Sequence, residues 1–183
     1  ERLHGKLETD DMQNMAMAYA VSKEKKREAI TEMITELCVS GVNAIVKSEE
    51  RLQQIRSLFD LDGITVFSDR GNRLVCRNGN YMAEAPDGRL GFEDEGYLSL
   101  FGDDDIFVES NMIKLRSQNP AAYAVTQEQE VGAALQCLSR KEGIPYTMVS
   151  FEVFNRNRKW SDKDVTLLTL LGHCIGDLLN YSE

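Results

Sequence analysis

The stretch Ala133-Ala-Leu-Gln-Cys-Leu-Ser139, Arg140-Lys-Glu-Gly-Ile-Pro145, Tyr146-Thr-Met-Val-Ser-Phe-Glu-Val-Phe154 decides the fold. Its first segment is an apolar run of strand length. Its second is polar, with a permissive Gly143 and with Pro145, and predicts a turn. Its third is rich in aromatic and β-branched residues and sets Val149, Phe151 and Val153 on one face, which predicts a second strand. Asn155-Arg-Asn-Arg-Lys-Trp160 follows as a basic loop ending in the single Trp, and its residues 156–159 read as a solvated hairpin edge. Ser161 suits an N-cap, Asp162 and Asp164 suit the first turn, and Asp164 can close a capping box. Val165, Leu168, Leu171, Gly172, Ile175, Leu178 and Leu179 then recur at helical spacing, which predicts a helix from Asp162 to about Asn180 with one face to bury.

Upstream, Ser48 caps a helix over Glu49–Phe59 with Leu52, Ile55, Leu58 and Phe59 on its apolar face. Asp60-Leu-Asp-Gly63 lacks the later ligands of a calcium loop and reads as a turn into a strand at Ile64–Phe67. Asp69-Arg-Gly-Asn72 turns the chain, Arg73–Arg77 pairs back as a hairpin, and Asn78-Gly79 is another turn. From Met82 to Asp105 the periodicity fades. Pro86-Asp-Gly88 is a turn there, and Glu93-Asp-Glu95 and Asp103-Asp-Asp105 read as solvated acidic loop. Ile106–Glu109 is a strand, Asn111–Ser117 a short helix, and Asn119-Pro120 opens a further helical piece with Tyr123, Val125 and Val131. The sum is an α+β chain whose sheet is mostly antiparallel, since turns join neighbouring strands.

Residues 1–39 are charged and helical in character, with Leu3, Leu7, Met12, Met15, Tyr19, Ala29, Met33 and Leu37 spaced mostly by three or four. Ser22-Lys-Glu-Lys-Lys-Arg27 interrupts the stripe. Two readings compete: a signalling helix that pairs with a second subunit, which is preferred, and an amphipathic helix folded onto its own domain. Pairing predicts a homodimer with residues 1–39 and the terminal helix at the interface. The charges of Ser22–Arg27 repel across a parallel seam unless Glu24 and Glu28 pair with Lys25 and Arg27, so the helix can instead break there and fold back. Ser40-Gly41 ends it, which divides the chain into residues 1–40 and 41–183.

The run 133–179 resembles the C-terminal half of a GAF domain, the sensory module of bacterial signalling proteins and cyclic-nucleotide phosphodiesterases. Ile106-Phe-Val-Glu-Ser-Asn111, Asn119-Pro-Ala-Ala-Tyr123 and Gln129–Gly132 are also similar to GAF domains fitted to diguanylate cyclases. The resemblance covers roughly residues 45–181. It implies a GAF-like, PAS-related antiparallel sheet of five or six strands with N- and C-terminal helices packed on one face. It also implies a cytoplasmic regulatory domain that senses a ligand or state and signals to an attached output domain of cyclic-di-GMP turnover. A ligand on the opposite face would touch Ser150, Glu152 and Phe154, and by sheet adjacency Phe67, Cys76 and Tyr123. Some phosphodiesterase GAF domains carry an Asn-Lys…Phe…Asp-Glu motif. Asn155-Arg156, Trp160, Asp164 and Val165 stand at similar spacing with two departures, and read here as a chain turn, a packing ring and a helix start.

The chain has 183 residues, 42% of them hydrophobic, and a net charge of −9, which suits one cored domain with an appendage and disfavours nucleic acid and anionic membrane. Cys38, Cys76, Cys137 and Cys174 form no Cys-x-x-Cys pair, and His4 and His173 lie apart from them, so the sequence gives no zinc spacing and suggests free thiols in a reducing compartment. No run is apolar enough for a membrane span or a signal peptide, and a first residue of Glu suggests a piece of a longer chain. No nucleophile–base pair, phosphate-binding glycine loop, GGDEF or EAL motif occurs, so no turnover is expected of this segment. No cysteine has the His-rich context of bilin-carrying relatives. Two alternatives stand beside the sensory reading: a GAF fold that only dimerises, and a cysteine-based methionine sulfoxide reductase using Cys76 and Cys137.

Overall fold

The computed structural model describes residues 2–41, 49–68, 71–77, 80–82 and 94–181, with side chains described for 10–41, 50–68 and 94–180. The elements run α1 (Arg2–Ser40), α2 (Glu49–Leu58), β1 (Gly63–Ser68), β2 (Gly71–Arg77), β3 (Asn80–Met82) and α3 (Glu95–Leu98). They continue as β4 (Ile106–Glu109), a 3-10 turn (Met112–Lys114), α4 (Leu115–Gln118), α5 (Pro120–Glu128), β5 (Val131–Lys141), β6 (Ile144–Phe154) and α6 (Asp162–Tyr181). The fold is α+β, and the strands form a six-stranded antiparallel sheet in the order β3-β2-β1-β6-β5-β4. The turns at Asp69-Arg70, Asn78-Gly79 and Pro86-Asp-Gly88, and the cap at Ser48, lie outside the described residues.

The β5–β6 hairpin is tighter than its sequence suggests. Pairing runs on to Arg140 with Pro145 and Lys141 with Ile144, leaving only Glu142 and Gly143 in the loop. Their φ values of 53° and 82° match a two-residue turn of the type that fits strand twist. The register shifts between Ser139 and Arg140, beside Pro145, which lacks the N–H that a regular ladder needs.

One sheet face carries Ile64, Val66, Ala133, Leu135, Cys137, Val149, Phe151 and Val153. It is covered by Ala29, Ile30, Met33 and Leu37 of α1, by Leu52 and Ile55 of α2 with Phe59 just after it, and by Leu168, Leu171, Ile175 and Leu179 of α6. Helix α6 approaches closely because it presents glycine to β5. A Cβ on Gly172 would sit 2.6 Å from Cys137 Sγ, and one on Gly176 would sit 2.1 Å from Ser139 Oγ and 2.7 Å from Ser139 Cβ. Gly176→Ala is therefore expected to destabilise by ~1–3 kcal/mol despite its better helix propensity, because the helix must lift off the sheet. Urea unfolding checks this; a variant as stable as the parent would contradict it.

Helix α1 is continuous through Ser22–Arg27, and the break that the charged run allowed does not occur. The charges there find partners: Arg27 pairs with Glu24 at 3.0 Å, and Lys26 reaches Asp164 on α6 at 2.8 Å. Helix α1 differs between its two halves. Its C-terminal half folds onto its own domain, whereas Met12, Met15, Met17, Tyr19 and Val21 are 54–73% exposed. Gly41 ends the helix at φ 66°, its N–H donating to Leu37 O at 2.8 Å, a glycine stop of the usual kind.

Candidate functional site

The period of two along each strand builds the opposite sheet face. Strand β6 contributes Met148, Ser150, Glu152 and Phe154, β1 contributes Thr65 and Phe67, β5 contributes Ala134, Gln136 and Leu138, and β4 contributes Phe107. The register aligns Thr65, Ser150, Gln136 and Phe107 in one row across four strands. Apolar side chains surround this row, and Tyr97, Phe101, Met112, Leu115 and Ala122 cover it.

Thr65, Gln136, Ser150 and Glu152 are all buried. Burying polar groups is costly unless they bond to one another, and these do. Gln136 Nε2 donates to Ser150 Oγ at 3.2 Å, Thr65 Oγ1 donates to Glu152 Oε2 at 3.2 Å, and the Tyr97 hydroxyl donates to Gln136 Oε1. Burial holds the Tyr97 hydroxyl far above its ordinary pKa; the Gln136 bond opposes this and the nearby Glu152 charge adds to it. A raised phenol contributes stability fully below pH ~10 that is lost as pH climbs through the folded value, so this bond persists across the physiological range. The Tyr97 ring meets Phe101 and Phe107 edge-on at 5.9 and 6.2 Å.

Helix α3, which delivers Tyr97, is only four residues long and depends on a clip. Asp94 accepts from Tyr97 N at 3.1 Å and from Asn119 Nδ2 at 2.8 Å, while Asn119 Oδ1 accepts from Ala122 N at 3.0 Å to cap α5. The Asn119 bond, then that from the Tyr97 backbone, lowers the Asp94 pKa. Tyr97→Phe leaves Gln136 Oε1 buried without its donor and is expected to cost ~1–3 kcal/mol. Urea unfolding of the pair measures it, and a change within a few tenths would show the bond to be unimportant.

Of the expected ligand residues, Phe67, Ser150, Glu152 and Phe154 are buried on this face, and Tyr123 of α5 packs partly buried against the same apolar cluster. Cys76 pairs in register with Ile64, a residue of the helix-covered face; its own side chain lies outside the described residues. Thr65, Gln136 and Tyr97 were not anticipated. Thr65 alternates with Phe67, and Gln136 is a polar interruption of an apolar run, but Tyr97 stands where periodicity fails.

The basic loop is solvated at Arg156, Asn157 and Lys159 but not at Arg158. Arg158 donates to Phe59 O and to Asp60 O, pairs with Asp164 at 3.0 Å and lies over the Trp160 ring at 4.2 Å. Arg156 pairs with Asp60 at 3.2 Å. Asn155 turns the chain at φ 54°, and Trp160 is buried with Nε1 donating to Glu109 O at 3.2 Å. The acidic loop is engaged too, Asp105 accepting from Arg140 at 2.9 Å.

Cys76 and Cys137 are not brought together. Strands β1 and β6 intervene between β2 and β5, which sets the two backbones ~14 Å apart at ~4.8 Å per strand. Burial also pushes the Cys137 thiol up to about 12, away from the thiolate a reductase needs. Among the described residues no cluster of three His, Cys, Asp or Glu side chains is placed to hold a metal, and no helix is long and apolar enough to cross a membrane.

No protein-family profile matches the sequence, and no curated protein matches it. Solved structures do share the fold. The chromophore-binding domain of Stigmatella aurantiaca bacteriophytochrome matches with a TM-score of 0.63 at 14% identity, over 85% of this chain and 60% of that one. A far-red absorbing domain with bound biliverdin matches at 0.59 and 15%, over 84% and 98%. The GAF domain of an Acinetobacter phosphoenolpyruvate-protein phosphotransferase matches at 0.57 and 12%, over 85% and 92%. The chain thus spans 60% of the length of the bacteriophytochrome domain. The fold of this chain is the GAF fold.

Proposed function

We propose that this chain is a cytoplasmic sensory GAF domain, which binds a small molecule on the sheet face opposite α1 and α6 and passes a shift through those helices to an output domain of cyclic-di-GMP turnover. The observation that carries the reading is the buried polar group of Thr65, Gln136, Ser150 and Glu152, aimed side chains in an apolar surround. Phe67, Tyr123, Ser150, Glu152 and Phe154 are the proposed contacts; Cys76, in register with Ile64 of the helix-covered face, is not among them. The chain itself acts without turnover. One solved structure of this fold carries bound biliverdin, which makes that ligand a probe to try here. A ligand-free dimerisation module is the second reading, favoured by how densely Tyr97, Phe101 and Phe107 already fill the face.

Native mass spectrometry of the purified chain, with urea unfolding in the presence of cyclic AMP, cyclic GMP and biliverdin, tests the first reading. A ligand at ~100 times its Kd stabilises by about 2.7 kcal/mol. Ser150→Ala should weaken that gain. A bare chain in the spectrometer and no gain from any probe would leave the second reading. Both readings place a homodimer on the exposed apolar half of α1. Truncation at Gly41 would strip Ala29, Ile30, Met33 and Leu37 from the core, so Met15→Glu with Met17→Glu is the cleaner test by sedimentation. A parent chain that is monomeric at micromolar concentration would remove the dimer.

A further inference from the structure

Two cysteines outside the sheet lie on neighbouring helices. Cys38 stands in the last turn of α1, directly after the buried Leu37, and Cys174 stands in α6, directly before the buried Ile175. Leu37 and Ile175 belong to one packed cluster, so the α1–α6 seam runs past both cysteines. Ile34, one turn before Cys38, and Leu178, one turn after Cys174, are both partly buried against that cluster. Lys26 of α1 meets Asp164 of α6 at 2.8 Å, and from that contact both helices run on through the same buried cluster, about 18 Å along α1 to Cys38 and about 15 Å along α6 to Cys174 at ~1.5 Å per residue. Both are free; Cys38 is exposed and Cys174 half-buried.

We propose that Cys38 and Cys174 form a reversible, peroxide-driven disulfide that locks the end of α1 onto α6. The asymmetry in exposure assigns the roles. The exposed Cys38 meets the oxidant first, since reaction follows access and thiolate character. Its sulfur attacks one peroxide oxygen, a sulfur–oxygen bond forms, the oxygen–oxygen bond breaks, and the departing hydroxide takes a proton to leave as water. Cys38 is then a sulfenic acid. The Cys174 sulfur attacks the Cys38 sulfur, the sulfur–sulfur bond forms, and the sulfenic hydroxyl leaves with the remaining thiol proton as a second water. Two thiols lose two electrons in all, and one peroxide gains them. Burial, the first cause, and Cys38 itself raise the Cys174 pKa, which suits the later, resolving step. A dithiol reductant reverses the bond, as expected of a redox-sensing pair in a reducing compartment.

The full 183-residue chain, reduced and then treated with hydrogen peroxide near neutral pH, tests the proposal. The expected product is a monomer lighter by two hydrogen atoms, in which the tryptic peptides 28–47 and 164–183 are joined and a reductant separates them. Cys38→Ser, at an exposed position, should abolish the link and leave Cys174 reduced. Cys174→Ser should stop Cys38 at the sulfenic acid, which a cyclic 1,3-diketone traps. A covalent dimer through Cys38, over-oxidation of Cys38 beside a free Cys174, or two unreacted thiols in the parent chain would each overturn the proposal. The parent chain's peptide map decides the matter even if the Cys174 variant does not fold.

Discussion

Replacing Asp164 with alanine is expected to lower the unfolding free energy by about 3–5 kcal/mol, the cost of stranding buried charge. Asp164 is 7% exposed, and one oxygen takes Lys26 Nζ at 2.8 Å while the other takes the Arg158 guanidinium at 3.0 Å. The side chains of Asp164 and Arg158 are each only 11% exposed, so water cannot replace the lost partner. Burial works against the Arg158 charge, and attraction to Asp164 and then Asp60 offsets it. With Asp164 gone, Arg158 keeps its burial and loses its main support. Asp164 also closes the start of α6, its N–H donating to Ser161 Oγ at 3.2 Å, a bond alanine retains, so the loss belongs to the carboxylate. Urea unfolding of the parent, Asp164→Ala, Lys26→Ala and the double variant separates the Lys26 share through their coupling. A loss below about 1 kcal/mol would place the cluster with exposed ion pairs and defeat the argument.

Leu171→Ala is expected to cost ~2–5 kcal/mol, toward the upper end. Leu171 is fully buried in the middle of α6. The size of the loss depends on whether the surroundings can close on the cavity, and here they cannot. Gly172 already holds the helix backbone so near β5 that an added Cβ would meet Cys137 Sγ at 2.6 Å. The helix therefore has no room to settle inward, and the cavity stays open. Leu171→Met, which nearly conserves volume, should cost less than ~1.5 kcal/mol. The denaturation midpoint should fall with the m-value unchanged. A Leu171→Ala loss as small as that of Met would show that the seam relaxes.

The sequence made legible what is local. Val149, Phe151 and Val153 alternate, so β6 and its outward partners Ser150, Glu152 and Phe154 could be placed; the 3.6-residue stripe from Val165 to Leu179 placed α6. It misled at Arg140 and Lys141, whose charge resembles a turn although they extend β5. It left a break open at Ser22–Arg27, since the group that accommodates Lys26 lies 138 residues away, beyond any local pattern. Tyr97 escaped notice for the same reason. Its place depends on Gln136, 39 residues on, and on a clip between Asp94 and Asn119. Arg158 looked solvated because its acceptors, Phe59 O and Asp60 O, are backbone atoms that composition does not display.

The strand order β3-β2-β1-β6-β5-β4 also sets a timetable for the chain on the ribosome. Strands β1, β2 and β3 are adjacent in sequence and can pair as they emerge. The other edge of β1 waits for β6, whose Thr147 pairs with Ser68 and whose Glu152 pairs with Gly63. Roughly 80 residues separate Ser68 from Thr147, about 4–16 s of synthesis at ~5–20 residues per second. For that interval Ile64, Val66 and Phe67 line an open strand edge, the kind of template on which nascent chains aggregate. Helix α1, made before the sheet, finds its α6 partner only when residues 162–181 have emerged. A nascent chain halted before residue 144 should accordingly be the species most dependent on a chaperone, and release of β6 should end that dependence.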